Sequence, residues 1–276
     1  MSTRLAVLGS PIAHSQSPAL HAAAYGVLGL DWQYEAIDVT EGDLRRFVRE
    51  RGPEWRGLSL TMPLKREVLG LLDEIDPVAV LTQAANTVLL TDGHRRGFNT
   101  DVYGITRAFR DAGVDALHSV RILGGGATAA SVLVAVQRLG ATTVTVSLRS
   151  PGKAAPLIEL AAALGVSITI EQLGGAGGPV DVVDAVVSTL PGHAAHEVEF
   201  PITVRRSAVL FDVAYSPWPS TFASAWLEAG GTVISGLEML VNQALAQVRI
   251  FVGGDPQQVL PEEEAVLAAM RAAVHA

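Results

Sequence analysis

Polar residues suited to proton transfer follow several short apolar runs in the first part of the chain. Thr61 and Lys65 follow one such run, and Asn86 and Asp101 follow two later ones. A lysine paired with an aspartate can stabilise negative charge that develops on an oxygen and can supply a proton. A glycine-rich segment, residues 123–127, then opens the second part of the chain. This order predicts a substrate-binding domain ahead of a dinucleotide-binding domain, with hydride transfer between them.

Composition narrows the classes of protein to which the chain can belong. It has 276 residues, 49% hydrophobic and 17% charged, enough to form the core of one large domain or two ordinary ones. The formal net charge is −8 with no basic patch or tail, which argues against nucleic acid as a partner. No apolar run approaches the roughly 20 residues that cross a bilayer, and the N-terminal residues are expected to form a strand rather than a signal peptide.

The numbers of cysteines and histidines limit the catalytic and metal-binding chemistry that the chain can perform and indicate its cellular compartment. With no cysteine, the chain has no disulfide, no thiolate nucleophile and no cysteine-based zinc site, and it fits a cytoplasmic location. None of the histidines has a metal-ligand spacing, so no metal is expected. His14 and His21 are candidates for acid–base groups, although Lys65 is the stronger candidate for that role.

Strand and helix patterns alternate along the whole chain. In the first part, strands are predicted at 5–8, 32–39, 57–61, 86–91 and 95–99, with a hairpin turn at Asp92-Gly93 and helices at 41–51, 64–72 and from an N-cap at Ser17. In the second part, strands are predicted at 120–123, 143–148, 166–170, 185–190, 208–213 and 232–235, and helices at 101–112, 127–139, 151–164, 218–229, 237–252 and 261–274. Residues 174–179 are expected to form a loop.

Alternation of this kind predicts an α/β protein with parallel sheets covered by helices. We expect an N-terminal α/β substrate domain, a Rossmann-like dinucleotide domain, and a cleft between them. The predicted substrate domain comprises residues 1–101 and 237–276, because the C-terminal helices are expected to return to it. Residues 102–236 form the predicted dinucleotide domain.

The glycine-rich loop indicates how a dinucleotide would bind. The candidate cofactor residues here are Gly124, Gly125, Gly126, Ala127 and Thr128, which follow a predicted strand and open a predicted helix. Glycines at such a turn let the backbone approach a pyrophosphate, which lies on the helix N-terminus. A flexible loop without a ligand is the alternative interpretation.

The end of the next predicted strand favours NADP over NAD. An NAD enzyme carries an acidic residue near this point to bind the ribose 2′-hydroxyl, and none is present. Arg149 instead offers a forked guanidinium for a 2′-phosphate, with Ser150 and Lys153 beside it. A pair of solvated basic residues at a helix start remains the alternative.

These residues lie within motifs that, taken in order, resemble shikimate dehydrogenase along nearly the whole chain. The motifs are Gly9-Ser-Pro-Ile-Ala-His-Ser-Gln-Ser-Pro18 with His21, Thr61-x-Pro63-x-Lys65, Ala85-Asn86-Thr87, Asn99-Thr100-Asp101-x-x-Gly104, the glycine loop, Arg149, Asp212-x-x-Tyr215-x-Pro217, and Gly236-Leu-Glu-Met-Leu-Val-x-Gln243-Ala. The resemblance implies NADP-dependent reduction of 3-dehydroshikimate to shikimate, in the pathway to chorismate and the aromatic amino acids.

The resemblance also implies roles for individual residues. Lys65 and Asp101 correspond to the family's catalytic pair. The implied substrate-binding residues are Ser15, Ser17, Ser59, Thr61, Asn86, Tyr215 and Gln243. Val213 and Gly236 are expected near the nicotinamide. Ser59 stands where many relatives carry asparagine, which leaves the substrate preference open.

Three other functions are compatible with parts of this pattern. A quinate/shikimate dehydrogenase that uses NAD would need an acidic residue near Arg149. A non-catalytic sensor of shikimate-like ligands could dispense with Lys65 or Asp101, yet both are present. A methylene-tetrahydrofolate dehydrogenase shares the layout but not the Ser15–Ser17 segment. The sequence leaves the oligomeric state open, with a homodimer as one candidate.

Overall fold

The computed structural model describes residues 3–174, 182–191 and 198–275. It divides into two compact units, one formed by the residues up to Gly104 together with those from Leu240 onward, and the other by Ile105–Met239. Most of the loop predicted at residues 174–179 lies outside the described residues.

The first unit is built on a six-stranded mixed sheet. Its strands are β1 (Thr3–Gly9), β2 (Trp32–Asp38), β3 (Trp55–Leu60), β4 (Glu74–Ile75), β5 (Thr87–Thr91) and β6 (His94–Phe98), in the order β2-β1-β3-β5-β6-β4. Its first helices are α1 (Ser17–Val27), α2 (Glu41–Arg49), α3 (Leu64–Glu67) and α4 (Pro77–Thr82), and a 3₁₀ helix follows α3 at Val68–Leu71.

The expectation of parallel pairing holds for only part of this sheet, whereas the predicted hairpin at Asp92-Gly93 is confirmed. Strand β5 pairs antiparallel with both β3 and β6, and only β1, β2, β3 and the β4–β6 pair run parallel. The cause is the predicted hairpin, in which Asp92 and Gly93 both have positive φ, 52° and 79°. That geometry matches the twist of a two-residue antiparallel connection, so no crossover helix separates β5 from β6.

The second unit has a six-stranded parallel sheet. Its strands are β7 (Ser119–Leu123), β8 (Thr143–Leu148), β9 (Ser167–Gln172), β10 (Ala185–Ser188), β11 (Val209–Asp212) and β12 (Val233–Ser235). Their order, β12-β11-β10-β7-β8-β9, is that of a doubly wound dinucleotide-binding sheet, which confirms the predicted Rossmann-like domain.

The remaining helices, which begin at Asp101, complete both units. They are α5 (Asp101–Asp111), α6 (Ala127–Arg138), α7 (Ala155–Leu164), α8 (Ile202–Ser207), α9 (Thr221–Glu228), α10 (Gly236–Gly253) and α11 (Glu263–His275). The boundaries between the units fall within α5 and α10. The sequence patterns of β4, α4 and α8 are too short to predict these elements. The helix predicted at 218–229 starts only at Thr221, because Ser220 is its N-cap and Ser220 Oγ accepts from the Ala223 N–H.

The C-terminal helices return to the first unit, as predicted. Val241, Leu245 and Phe251 of α10 are buried in one apolar core with Leu5 of β1 and Met270 of α11. Full burial of such side chains stabilises a fold by about 1.5–3 kcal/mol each. This core holds α10 against the sheet and thereby places the polar residues on the same helix.

Candidate active site

A largely buried ion pair joins two residues that the sequence predicts to be catalytic. Lys65 lies on the short helix α3, and Asp101 is the first residue of α5, where a helix dipole favours a negative charge. Lys65 Nζ is 2.5 Å from Asp101 Oδ2, and the two side chains are 14% and 4% exposed. The carboxylate can therefore orient the ammonium group while both side chains are largely shielded from solvent.

The side-chain amide of Asn86 extends this pair into a cluster. Asn86 Nδ2 donates to Asp101 Oδ1 at 2.8 Å and to Thr100 Oγ1 at 2.9 Å, and it lies 3.3 Å from Gln243 Oε1. The structure thus brings Asn86 and Gln243 to the Lys65–Asp101 pair, although Gln243 is far away in sequence.

The predicted serine ligands lie around a tyrosine. Tyr34 donates to Ser59 Oγ at 2.7 Å, and its hydroxyl also interacts with the Ser17 side chain. Burial raises the pKa of the Tyr34 phenol, so the group remains a donor. Ser15 Oγ accepts from the Ser17 N–H at 3.3 Å. These contacts bring the three predicted serines close to one another.

The prediction that Ser17 is the N-cap of α1 is wrong. Gln16 occupies the N-cap position, and its backbone is already helical, with φ −84° and ψ −6°. Its carbonyl oxygen accepts from the Leu20 N–H at 3.2 Å, so the helix begins one residue earlier than the serine–proline pattern indicates. Ser17 is consequently a buried first-turn residue whose hydroxyl faces Tyr34.

Thr61 lies directly after β3, where its methyl group packs against the backbone of Gly9. A Cβ atom on Gly9 would come within 2.5 Å of Thr61 Cγ2, so only glycine permits this approach. The Thr61 N–H donates to the Leu8 carbonyl at 2.9 Å. Among the described residues, no hydrogen-bond partner occupies the Thr61 hydroxyl, which leaves it available to a ligand.

The two histidines near the serines differ in environment. His14 is exposed, whereas His21 is completely buried and stacks on Tyr34, with 3.9 Å between the ring centroids. Desolvation by burial lowers the pKa of His21 to about 3. His21 is therefore neutral near pH 7 and is not a proton donor in the manner of a protonated imidazole.

In the second unit, the three glycines of the glycine loop differ in their surroundings. Gly124 has φ +106°, and a Cβ atom there would come within 2.4 Å of Thr189 Oγ1. A Cβ atom on Gly125 would meet Leu148 at 2.5 Å, whereas around Gly126 the space is open. Gly126 is the N-cap of α6 and offers no side-chain cap to the first helical turn.

This arrangement fits a dinucleotide phosphate. The N–H groups of Ala127 and Thr128 belong to that uncapped first turn, where unpaired donors and the helix dipole favour an anion. The open space at Gly126 allows a ligand to approach the backbone.

The basic residues after β8 also fit the prediction. Arg149, Ser150 and Lys153 are all exposed at the carboxyl end of this strand. In the described part of the chain, neither Arg149 nor Lys153 forms an ion pair with an acidic residue. Both cations are therefore available to a phosphate.

Val213 and Gly236, both predicted to lie near the nicotinamide, lie against each other in the second unit. A Cβ atom on Gly236 would be 2.1 Å from the Val213 carbonyl oxygen, so position 236 accepts only glycine without a shift of backbone. Tyr215, predicted to bind substrate, is half-buried in the segment after β11. Burial raises the pKa of its phenol.

Several residues of the polar clusters are absent from the predicted set. Tyr34, Thr87, Thr100 and Gln247 all hydrogen-bond to predicted site residues. Thr87 and Thr100 lie inside motifs already singled out, and Gln247 follows Gln243 by one helical turn, which is the signal that could have identified it. No local feature of the sequence marks Tyr34 as a residue of the site.

Two kinds of structure are absent from the described residues. No three histidine, aspartate or glutamate side chains among them are grouped as metal ligands would be. In the same residues, no helix combines the length and apolar character that crossing a membrane requires.

A Rossmann-like unit combined with an α/β unit that holds a largely buried Lys–Asp pair is typical of dinucleotide-dependent oxidoreductases. Residues 7–88 match the model of the shikimate dehydrogenase substrate-binding domain. The NADP(+)-dependent shikimate dehydrogenase of Rubrobacter xylanophilus is 35% identical over 259 residues, which are 91% of this chain and 90% of the relative.

Solved structures agree with this assignment. The shikimate dehydrogenase of Mycobacterium tuberculosis has a TM-score of 0.87 and 40% identity, covering 98% of this chain and 99% of that one. The Thermus thermophilus enzyme, in complex with NADP(H) and shikimate, has a TM-score of 0.82 and 31% identity, with coverages of 98% and 99%. The chain belongs to the shikimate dehydrogenase family.

Proposed function

We propose that this chain catalyses the reversible reduction of 3-dehydroshikimate to shikimate with NADPH, a step in chorismate and aromatic amino acid biosynthesis. The observation that carries the proposal is the buried Lys65–Asp101 pair, with 2.5 Å between Nζ and Oδ2, in a chain of this family. Relatives over almost the whole length are NADP-dependent shikimate dehydrogenases, and one solved relative binds both NADP(H) and shikimate.

The bound nicotinamide supplies the hydride for reduction of the ketone and accepts it in the reverse direction. Lys65 stabilises the negative charge that develops on the oxygen and supplies a proton to it. Asp101 holds the Lys65 ammonium group and binds the adjacent hydroxyl of the substrate. Pre-orientation of the pair by the surrounding hydrogen bonds avoids a rearrangement during the reaction.

The remaining polar residues of the first unit would hold the substrate. Ser15 and Ser17, at the start of α1, would bind the carboxylate through their hydroxyl groups, which compensates locally for the acidic net charge. The ring hydroxyls would bind to Ser59, Thr61, Asn86 and Gln243, and Tyr215 of the second unit completes the proposed substrate set. The proposed substrate-binding domain comprises residues 1–101 and 237–276.

The second domain, residues 102–236, would hold NADP. Gly124–Thr128 would bind the pyrophosphate, and Arg149, Ser150 and Lys153 the 2′-phosphate, with Val213 and Gly236 near the nicotinamide. We infer a cytoplasmic location, in keeping with the absence of cysteine. A homodimer is the assembly that we propose, and light scattering of the purified protein measures it directly.

The test is a set of initial rates with shikimate or quinate, each with NADP⁺ or NAD⁺. We expect turnover with shikimate and NADP⁺, and a decrease in kcat of about 10²–10⁴-fold in Lys65→Ala, because the proton donor is lost. Arg66→Ala is the matched control, since this neighbouring cation of the same short helix is exposed.

Each other outcome contradicts a stated part of the proposal. Preferred turnover of quinate with NAD⁺ would show that Arg149 does not select the cofactor. Binding of shikimate without turnover of either substrate would indicate a ligand sensor. Retention of full kcat in Lys65→Ala would remove Lys65 from the reaction.

A further inference from the structure

A buried glutamine forms hydrogen bonds that the proposed mechanism does not use. Gln247, on α10, is 2% exposed. Its Oε1 is 2.9 Å from Ser59 Oγ and 3.2 Å from His21 Nε2. Its Nε2 is 3.2 Å from the carbonyl oxygen of Asn86 and 3.1 Å from Thr87 Oγ1. Both acceptor positions and both donor hydrogens of this amide are therefore occupied inside the protein.

The backbone of Asn86 determines which way the Gln247 amide faces. A carbonyl oxygen only accepts hydrogen bonds, so the amide nitrogen must face Asn86 and the amide oxygen must face His21. His21 consequently carries its hydrogen on Nε2, and its Nδ1 accepts from the Tyr25 hydroxyl, 3.0 Å away. Burial lowers the pKa of His21 to about 3, which keeps the ring neutral and this hydrogen arrangement intact.

The series of hydrogen bonds continues from Gln247 toward the ion pair. Thr87 Oγ1 accepts from Gln247, so its own hydrogen goes to Asn86 Oδ1 at 2.8 Å. The Thr100 backbone N–H, which can only donate, lies 2.9 Å from the same Oδ1. With its oxygen held by these donors, the Asn86 side chain directs Nδ2 to Asp101 Oδ1 at 2.8 Å.

We propose that Gln247 and Thr87 are positioning residues that hold the Asn86 side-chain amide in the one orientation that donates to Asp101. This inference rests on the proposed function, since its catalytic consequence acts through the Lys65–Asp101 pair. If the amide turned over, Asn86 Oδ1 would face the Asp101 carboxylate, and two acceptors would confront each other without a hydrogen. The carboxylate that orients Lys65 would then lose a donor.

Two substitutions of Thr87 separate positioning from packing. Thr87→Val keeps the shape and removes the hydroxyl, whereas Thr87→Ser keeps the hydroxyl and removes a methyl group. We expect Thr87→Val to lower kcat with shikimate about tenfold, with the KM for NADP⁺ unchanged, and Thr87→Ser to recover most of that loss. A packing role would give the reverse order, because serine leaves the cavity at this fully buried position.

Gln247→Met tests the other end of the connection at nearly constant volume. We expect a similar loss of kcat, and no further loss in the double variant with Thr87→Val, because both residues act through Asn86. The matched control is Val248→Ala, an adjacent buried residue of the apolar core, which should lower Tm but leave kcat within about twofold. Additive losses in the double variant, or wild-type kcat in Gln247→Met, would overturn the inference.

A measurement that does not depend on turnover separates this inference from the proposed function. Nitrogen-15 NMR of the histidine rings in the wild-type protein at about pH 7 should show His21 protonated on Nε2 and unprotonated on Nδ1. Protonation on Nδ1 would overturn the inference even in an active enzyme. Absence of turnover in the wild type would contradict the proposed function, and the His21 tautomer would still decide the orientation of the Gln247 amide.

Discussion

Single residues of the site differ in how much hydrogen-bonding capacity remains for a ligand. The Ser59 hydroxyl accepts from Tyr34 and donates to Gln247, so its hydrogen is already committed and toward a ligand it can only accept. Lys65 Nζ uses one of its donors for Asp101 within the described residues, which leaves hydrogens for a substrate oxygen. Lys65 therefore keeps donor hydrogens free, as a proton donor to a developing alkoxide requires.

Arg149 is the residue whose free charge bears on cofactor choice. Charge-assisted hydrogen bonds contribute about 1.5–3 kcal/mol, so we expect Arg149→Ala to raise the Kd for NADP⁺ by roughly 10–100-fold. The Kd for NAD⁺ should change little, because NAD⁺ lacks the 2′-phosphate. Isothermal titration calorimetry with both dinucleotides measures this.

Arg138→Ala is the control for that measurement. Arg138 is also exposed, but it lies at the opposite end of α6 from the glycine loop. An equal weakening of NADP⁺ and NAD⁺ binding by Arg149→Ala would refute the assignment of Arg149 to the 2′-phosphate.

At the scale of elements, the turn from β7 into α6 combines a steric requirement with an open surface. Gly124 adopts a φ that side chains rarely tolerate, and Gly125 packs on Leu148, so these two glycines serve the fold. Gly126 has an ordinary φ of −82° and free space around it. The fold therefore does not require glycine at position 126, and we propose that the missing side chain leaves room for the ligand.

Alanine substitutions in this turn should separate the two requirements. Gly124→Ala should lower the free energy of unfolding by about 1–3 kcal/mol, because of the positive φ and the contact with Thr189. Gly126→Ala should leave it nearly unchanged and should still weaken NADP⁺ binding. Urea unfolding and dinucleotide titration of both variants provide the measurements, and normal NADP⁺ affinity in Gly126→Ala would contradict the proposed phosphate site.

For the molecule as a whole, the buried His21 makes stability depend on pH. Its pKa falls from 6.5 in a free side chain to about 3 in the fold, because burial disfavours the charged ring. Between these values the unfolded chain binds a proton that the folded chain does not. Above about pH 6.5 the ring is neutral in both states, so His21 does not lower the free energy of unfolding. That free energy decreases as the pH falls from about 6.5 toward 3.

His21→Gln should remove this contribution to the pH dependence. In the wild type it amounts to no more than about 5 kcal/mol across the window, and the variant should lose stability less steeply between about pH 6.5 and 4. The free energy of unfolding in urea at several pH values measures the difference. The exposed His14 provides the control: His14→Gln should keep the wild-type slope, and an unchanged slope in His21→Gln would show that His21 is protonated in the fold.

Much of the architecture follows from local patterns. The apolar run that forms β1, the turn at Asp92-Gly93, the amphipathic α2 and the glycine loop before α6 each depend on neighbouring residues, so their positions could be predicted. Element ends were less predictable, as at α1, where the helical backbone of Gln16 displaced the expected cap at Ser17. Motif residues such as Lys65 and Asp101 were also identifiable, because their types and context indicate their chemistry.

The sequence by itself thus determined the two α/β parts, the return of the C-terminal helices and most of the residues that the structure brings together. Only the tertiary structure decided the antiparallel pairing of β5 with β3 and the partners of the polar side chains. Gln247 lies 160 positions from Thr87 and 188 from Ser59 along the chain, yet it bonds to both. Such contacts leave no periodic signal, because they arise only when the core holds α10 against the sheet and each buried donor must find an acceptor.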